Sequence, residues 1–67
     1  MPKGTIRWYD SDKGFGFIIP DDGGKDLYVQ HGNIETPSHD LADNQRVEYE
    51  VTLGRKGPEA VRVKSIS

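Results

Sequence analysis

Cysteine is absent from the 67 residues of this sequence, and methionine and tryptophan occur once each. Without cysteine the chain has no disulfide or thiolate metal site, and His31 and His39 without a spaced set of carboxylates fall short of a zinc site. No apolar run approaches the length that crosses a bilayer, and the first residues do not resemble a signal peptide. We therefore expect a cytoplasmic protein with no membrane partner, no metal and no cofactor.

Positive charge is also scarce, since 9 basic residues stand against 11 acidic ones and the formal net charge is -2. This balance weighs against a partner held mainly by phosphate neutralisation. The basic residues are nevertheless placed unevenly: Arg7 and Lys13 flank an aromatic stretch, and Arg55 lies in a later turn. Any contact with nucleic acid should therefore depend on base stacking more than on charge, with a shallow salt dependence.

The aromatic stretch is KGFGFI, at positions 13 to 18. Side chains alternate between the two faces of a strand, so Phe15 and Phe17 point to one side and Gly16 to the other. The glycine leaves the backbone flat, which lets a large group approach, and Lys13 supplies a cation nearby. Such a face suits unpaired bases, because every base has a π-face. The alternative is that both phenylalanines belong to the buried core of a small sheet.

Alternating apolar residues and regularly spaced turn signals predict five short strands with no long helix. The predicted strands are residues 3–9, 15–19, 26–30, 46–52 and 59–66. A short helical turn is expected near residues 32–35, and Asn44 can adopt the left-handed conformation before the fourth strand. The pattern indicates an all-β fold, a small five-stranded antiparallel barrel, in a single domain spanning residues 1–67. A domain of this size buries about 60% of its unfolded surface, so its core is small.

The predicted interior is already supplied by side chains other than the phenylalanines. It comprises Ile6, Ile18, Leu27, Val29, Val47, Tyr49, Val51, Val61 and Val63. Phe15, Phe17 and Tyr28 are then surplus to the core, and an exposed aromatic patch of this kind is typical of a binding surface. Strict alternation would separate Trp8 from Tyr9, so a bulge or strong twist is required if both are to reach one surface.

Four segments, in this order and spacing, resemble the cold-shock domain over essentially the whole chain. They are Trp8-Tyr9, Lys13-Gly14-Phe15-Gly16-Phe17-Ile18, Asp26-Leu27-Tyr28-Val29 and Gly57-Pro58-Glu59-Ala60. The second segment also echoes a motif of RRM domains, but an RRM carries its other motif earlier in the chain and needs two helices. The resemblance implies an OB-type barrel that binds single-stranded RNA or DNA.

The resemblance also implies which residues bind. Trp8, Phe15 and Phe17 match the stacking aromatics of the family, Tyr9 and Tyr28 replace phenylalanines, and Asp26 matches a residue that contacts a base. The full set of nucleic-acid-binding candidates is Arg7, Trp8, Tyr9, Lys13, Phe15, Phe17, Asp26, Tyr28, Gln30, His31, His39 and Arg55.

Several positions depart from the family pattern. Gln30 and His31 stand where the family has histidine and phenylalanine. Asp10 and Glu59 replace asparagine and glutamine, and each adds negative charge near the expected path of the phosphates. Asp40 stands where a lysine is common. Since a base stack is worth about 1 to 3 kcal/mol, we expect a working site of weakened or retuned affinity.

These features favour a binding module that acts as a nucleic-acid chaperone or a regulator of transcription or translation, as a monomer, on pyrimidine-rich single strands. The alternative is that the aromatic face docks a protein partner, which should tolerate Lys13→Glu better than a phosphate contact would. An enzyme is not expected. Ser38, His39 and Asp40 are consecutive, so their side chains diverge instead of converging into a triad.

Overall fold

Five β-strands form a closed barrel in the computed structural model, which describes residues 2–36, 41–55 and 57–66. The elements are β1 (Lys3–Asp10), β2 (Phe15–Pro20), β3 (Leu27–Gln30), a 3-10 turn (His31–Asn33), β4 (Arg46–Gly54) and β5 (Gly57–Ser65). In the described ranges, no helix has the length and apolar character needed to cross a membrane. Asn44 has a φ of 66°, the left-handed conformation predicted for it.

The strands follow the order β1-β2-β3-β5-β4 around the barrel. The β1–β2, β2–β3, β1–β4 and β4–β5 pairs are antiparallel, whereas β3 and β5 are parallel. The parallel pair arises because β4 reverses the chain between β3 and β5, so β5 returns in the direction of β3. The predicted all-β, five-stranded OB-type barrel is confirmed, although its closing pair is not antiparallel.

The barrel interior is apolar and is drawn from every strand. Its buried side chains in the described residues are Ile6, Ile18, Leu27, Val29, Ile34, Leu41, Val47, Tyr49, Ala60 and Val63. Ile34, Leu41 and Ala60 were not predicted. The inward placement of Val51 and Val61 is wrong, since Val51 is 52% exposed and Val61 is partly exposed.

A bulge in β5 explains part of that correction. Glu48 lies opposite Lys64, but Glu50 lies opposite Val61, so β5 holds one more residue than β4 across this step. Arg62 absorbs the extra length with a φ of 53°. A bulge shifts the alternation by one residue, which turns Val63 inward and leaves Val61 at the surface.

Val51 is exposed for a different reason, because β4 is longer than its neighbour β1. Beyond Tyr49, whose N–H donates to the Pro2 carbonyl at 3.0 Å, β1 supplies no register partner to β4. The end of β4 therefore projects past the barrel with β5 alone beside it. Leu53, at 84% exposure, lies on this projecting segment.

An ion pair joins the end of β2 to the start of β4. Arg46 donates from Nη1 and Nη2 to the two carboxylate oxygens of Asp21, each at 2.7 Å, and from Nη1 to Thr5 Oγ1 at 3.0 Å. These hydrogen bonds lower the pKa of Asp21 below its ordinary value. Nearby, burial raises the pKa of Tyr49, and the charges of Asp22 and Asp21 add to that shift.

Candidate nucleic-acid interface

Four aromatic side chains from three adjacent strands form one surface cluster, here called the aromatic cluster: Trp8, Phe15, Phe17 and Tyr28. Ring centroids lie 5.4 Å apart for Trp8–Phe15, 5.3 Å for Trp8–Phe17 and 5.8 Å for Phe17–Tyr28. These are edge-to-face or tilted contacts within the favourable range for aromatic pairs. Trp8 is 37% exposed and the other three are half-buried, so each ring is held by its neighbours while part of it faces solvent.

Strand register explains why the aromatic cluster forms. Phe17 lies opposite Trp8 on β1 and opposite Tyr28 on β3, and side chains directly opposite one another share a face. Trp8 reaches this position because the β1–β2 register shifts between Ile6 and Trp8, which leaves Arg7 as the extra residue of a bulge.

β1 thus contains a bulge, but the bulge places Trp8 on the face opposite Ile6, and Trp8 and Tyr9 still point to opposite faces. Tyr9 lies opposite Gly16 and packs against the core. A Cβ at Gly16 would collide with the Trp8 carbonyl oxygen and lie 2.8 Å from Tyr9 Cα. Gly16 thus permits the close approach of β1 on the inner side, which corrects the expectation that it admits a ligand.

Arg7 and Asp26, both predicted to bind, pair with each other at the edge of the aromatic cluster. Arg7 Nε donates to Asp26 Oδ2 at 2.6 Å, and Nη2 lies 3.5 Å from Oδ1. Both groups are partly exposed, with side-chain exposures of 52% and 34%. A phosphate approaching Arg7 must therefore compete with a carboxylate that is already in place.

Lys13 lies in the turn that leads into β2. The Asp10 carboxylate accepts hydrogen bonds from the backbone N–H groups of Asp12 and Lys13, both at 3.0 Å. Gly14, with a φ of 78°, closes the turn by donating to the Asp10 carbonyl at 2.7 Å. This rigid turn holds Lys13 two residues before Phe15, with its side chain exposed.

Two shallow grooves meet at Tyr28. The first, of about 380 Å³, is lined by Phe15, Phe17, Asp26, Tyr28 and Pro58. The second, of about 320 Å³, is lined by Tyr28, Gln30, Gly54, Arg55 and Glu59. The first groove offers aromatic faces with a carboxylate at its edge, and the second offers an amide, a guanidinium and a carboxylate. Together they can stack flat rings and hydrogen-bond to their edges.

Comparison with known proteins agrees with this geometry. The family model described as "'Cold-shock' DNA-binding domain" matches residues 2–66. The chain belongs to the cold-shock domain family. Members of this family bind single-stranded nucleic acids and are not enzymes, which confirms the expectation that this chain is a nucleic-acid-binding protein without enzymatic activity.

Relatives of this cold-shock domain align along nearly its whole length. It is 45% identical to the probable cold shock protein A of Mycobacterium tuberculosis, covering 98% of this chain and all of that protein. It is 50% identical to the cold shock-like protein CspE of Escherichia coli K12, covering 91% of this chain and 90% of that protein. A solved structure titled "drosophila Unr CSD456" superposes with a TM-score of 0.82 at 24% identity, over 98% of this chain and 26% of that one, and supports the fold.

The remaining predicted site residues of the cold-shock domain fall into three groups. Gln30 lies opposite Phe15 and lines the second groove with Arg55. His31 begins the 3-10 turn, where its N–H donates to the Gly14 carbonyl at 2.8 Å. His39, together with Asp40, lies outside the described residues.

Pro58, Gly54 and Glu59 line the grooves although none was among the predicted binding residues. They come from β4 and β5, far along the chain from the aromatic cluster. The parallel pairing of Tyr28 with Glu59 brings them to the site. Pro58 and Glu59 belong to the segment Gly57-Pro58-Glu59-Ala60, on which the family resemblance partly rests. This segment was the feature of the sequence that could have indicated their place in the site.

Proposed function

We propose that this cold-shock domain binds pyrimidine-rich single-stranded RNA or DNA by stacking bases on the aromatic cluster. In the cell it acts as a monomer in the cytoplasm, as an RNA chaperone or a regulator of transcription or translation. The observation that carries the proposal is that four rings from β1, β2 and β3 share one solvent-facing surface. Single strands suit this surface because their bases are free to leave one another and stack on protein rings.

Phosphate contacts contribute little in this proposal. Arg7 is paired with Asp26 at 2.6 Å, which leaves Lys13 as the more available cation beside the aromatic cluster. With one or two phosphates neutralised, the logarithm of the affinity should fall with the logarithm of salt concentration with a slope of magnitude about 1. A steep slope would mean that charge, not stacking, drives binding.

Titration with a short thymine-rich single strand tests the proposal, with the matching duplex as a control. Trp8 is the one tryptophan of the sequence and belongs to the aromatic cluster, so its fluorescence reports on the site. We expect saturable quenching by the single strand and none by the duplex. An unchanged signal at high strand concentration, with no binding of a labelled strand, would contradict the proposal and favour a protein partner.

A pair of variants on β2 separates stacking from general surface contact. Phe17→Ala should weaken binding of a labelled strand about tenfold or more, the value of one lost stack. Ile19→Ala changes a side chain that is 37% exposed on the same face of β2 but lines neither groove, and it should leave affinity unchanged. Equal losses in the two variants would count against the aromatic cluster.

Gln30 and His31 replace the histidine and phenylalanine of the family pattern, and we expect these two replacements to weaken the affinity for single strands. Gln30 lies beside Phe15, where an imidazole would add a stacking face. The double change Gln30→His with His31→Phe should therefore strengthen binding by about tenfold. Unchanged affinity in a variant with unchanged thermal unfolding would show that these positions lie outside the bound strand.

A further inference from the structure

We infer that Asp26 acts as an internal substitute for a phosphate group on Arg7, and so makes the site select strands by their bases and discriminate against a bare phosphate backbone. This inference rests on the proposed function, because it assumes that bases stack on the aromatic cluster. It gives Asp26 a role toward Arg7, separate from the base contact that the family resemblance implies for it.

The placement of the two side chains carries the first step. Arg7 is the extra residue of the β1 bulge, and Asp26 directly precedes β3. Because β1 and β3 both pair with β2, the ion pair spans two strand spacings, about 10 Å, across β2. Asp26 also lines the first groove with Phe15, Phe17 and Tyr28. The pair therefore lies beside the aromatic cluster, where the backbone of a stacked strand has to pass.

The geometry of the pair carries the second step. Arg7 Nε donates to Asp26 Oδ2 at 2.6 Å, and Nη2 lies 3.5 Å from Oδ1. A guanidinium binds a phosphate through the same kind of two-point contact, so the carboxylate occupies an edge of Arg7 that a phosphate would use. Among the ion pairs of residues 2–36, 41–55 and 57–66, Arg7 and Asp26 take part in this one alone.

The exchange of carboxylate for phosphate carries the third step. Both groups stand on one barrel, so Asp26 competes with an incoming phosphate at a high effective concentration. A cation that its own chain neutralises releases few counterions from a strand, and it adds little to the salt dependence of binding. An unpaired Arg7 would instead attract the phosphates of any strand, with or without bases. Asp26 thus removes an attraction that is independent of the bases and leaves ring stacking to select the strand.

The test uses two single strands of about eight nucleotides, one of thymine and one of abasic sites, which has the same phosphates and no bases. The Kd of each labelled strand is measured at several salt concentrations for the wild-type chain, Asp26→Asn and Asp22→Asn. The control Asp22→Asn makes the same change in net charge outside both grooves, and its asparagine can keep the hydrogen bond from Gly24 N–H. The abasic strand makes the result independent of any base contact by Asp26.

We expect Asp26→Asn to bind the abasic strand about fivefold more tightly at low salt and to increase the magnitude of the salt slope by about 0.7, the value of one phosphate neutralised on a single strand. Asp22→Asn should change neither quantity. When Arg7→Gln is present, Asp26→Asn should leave the salt slope unchanged, because the cation that it would release is gone.

Two results would overturn the inference and leave the proposed function standing. The first is an unchanged salt slope and an unchanged Kd for the abasic strand in Asp26→Asn, with the wild-type chain binding the thymine strand. The second is an equal gain in Asp26→Asn and Asp22→Asn, because net charge would then explain both. If the wild-type chain does not bind the thymine strand, the proposed function fails and the inference fails with it.

Discussion

The β2–β3 and β4–β5 hairpins are both antiparallel pairs, but they differ in regularity. From Phe15 opposite Gln30 to Ile18 opposite Leu27, the β2–β3 register is unbroken, and its inward side chains are buried. In β4–β5 the register shifts between Glu48 and Glu50, and the distal part projects past the barrel. The regular hairpin carries two strands of the aromatic cluster, while the bulged one supplies the polar wall of the second groove.

The difference shows where the alternation of side chains along a strand correctly predicts which of them are buried. A strand paired on both sides without interruption keeps its faces fixed, because each residue is held between two neighbours. Where a strand contains a bulge or extends beyond its neighbour, its side chains are no longer held to fixed faces in this way. Valine has the same preference for strands in both hairpins, but its burial depends on what lies beside it.

Matched valine truncations should show the largest contrast between the hairpins. Val29→Ala removes methyl groups from a fully buried side chain and should cost about 2 kcal/mol of the free energy of unfolding. Val51→Ala, at a half-exposed position, should cost about 1 kcal/mol or less. Urea unfolding followed by Trp8 fluorescence measures both. Equal losses would mean that the projecting end of β4 is buried in solution.

Substitutions at Arg62 should sharpen the contrast through the backbone. Its φ of 53° disfavours a β-branched side chain, so Arg62→Val should be less stable than Arg62→Asn by about 1 kcal/mol. Both variants lose the ion pair with Glu50, at 3.0 Å, and that loss cancels in the comparison. At Lys64, on the regular part of β5, the order should reverse because valine suits a strand. The same order at both positions would argue against the bulge.

The smallest effect concerns the ion pair that links the two hairpins. Arg46 lowers the pKa of Asp21, so the stabilising contribution is complete above the unfolded value of about 3.9 and is lost as pH falls through the lower folded value. Asp21→Asn should therefore be less stable than wild type near neutral pH, with the difference shrinking below about pH 4. The effect is small because the pair is exposed.

The neighbouring Asp22 provides the control for that measurement. Its Oδ1 accepts a hydrogen bond from Gly24 N–H at 3.0 Å, and an asparagine can make the same bond. Asp22→Asn should keep the wild-type acid profile. If both variants flatten the profile alike, general acidic charge, not the Arg46 pair, sets the pH dependence.

The sequence predicts much of the fold, since each strand lies within two residues of its expected ends and the cold-shock family follows from four short segments. The sequence does not predict the burial of residues whose position depends on contacts with segments far away in the chain. Ile34 is buried because it forms a parallel bridge with Val63, and Leu41 lies in an irregular segment without periodicity. Neither has a pattern that could reveal its position.

The candidate site follows the same division. Phe15, Phe17 and Tyr28 could be placed together because regular β2 and β3 strands fix their shared face. The pairing of Arg7 with Asp26 could not be predicted, because it depends on the bulge that displaces Arg7 and on a contact between residues 19 positions apart. The contribution of β5 to the grooves could not be predicted either, because it depends on the parallel pairing of β3 with β5.

The β3–β5 pair also has a consequence for the dynamics of the chain. Tyr28 opposite Glu59 and Val29 opposite Ala60 close the barrel between segments that are distant in sequence. Both grooves include residues from each side of this seam. In the proposed binding mode, a nucleic-acid strand that fills both grooves contacts both sides of the seam, so its binding and the closure of the barrel favour one another. Barrel opening and ligand release are then coupled in a single linked equilibrium.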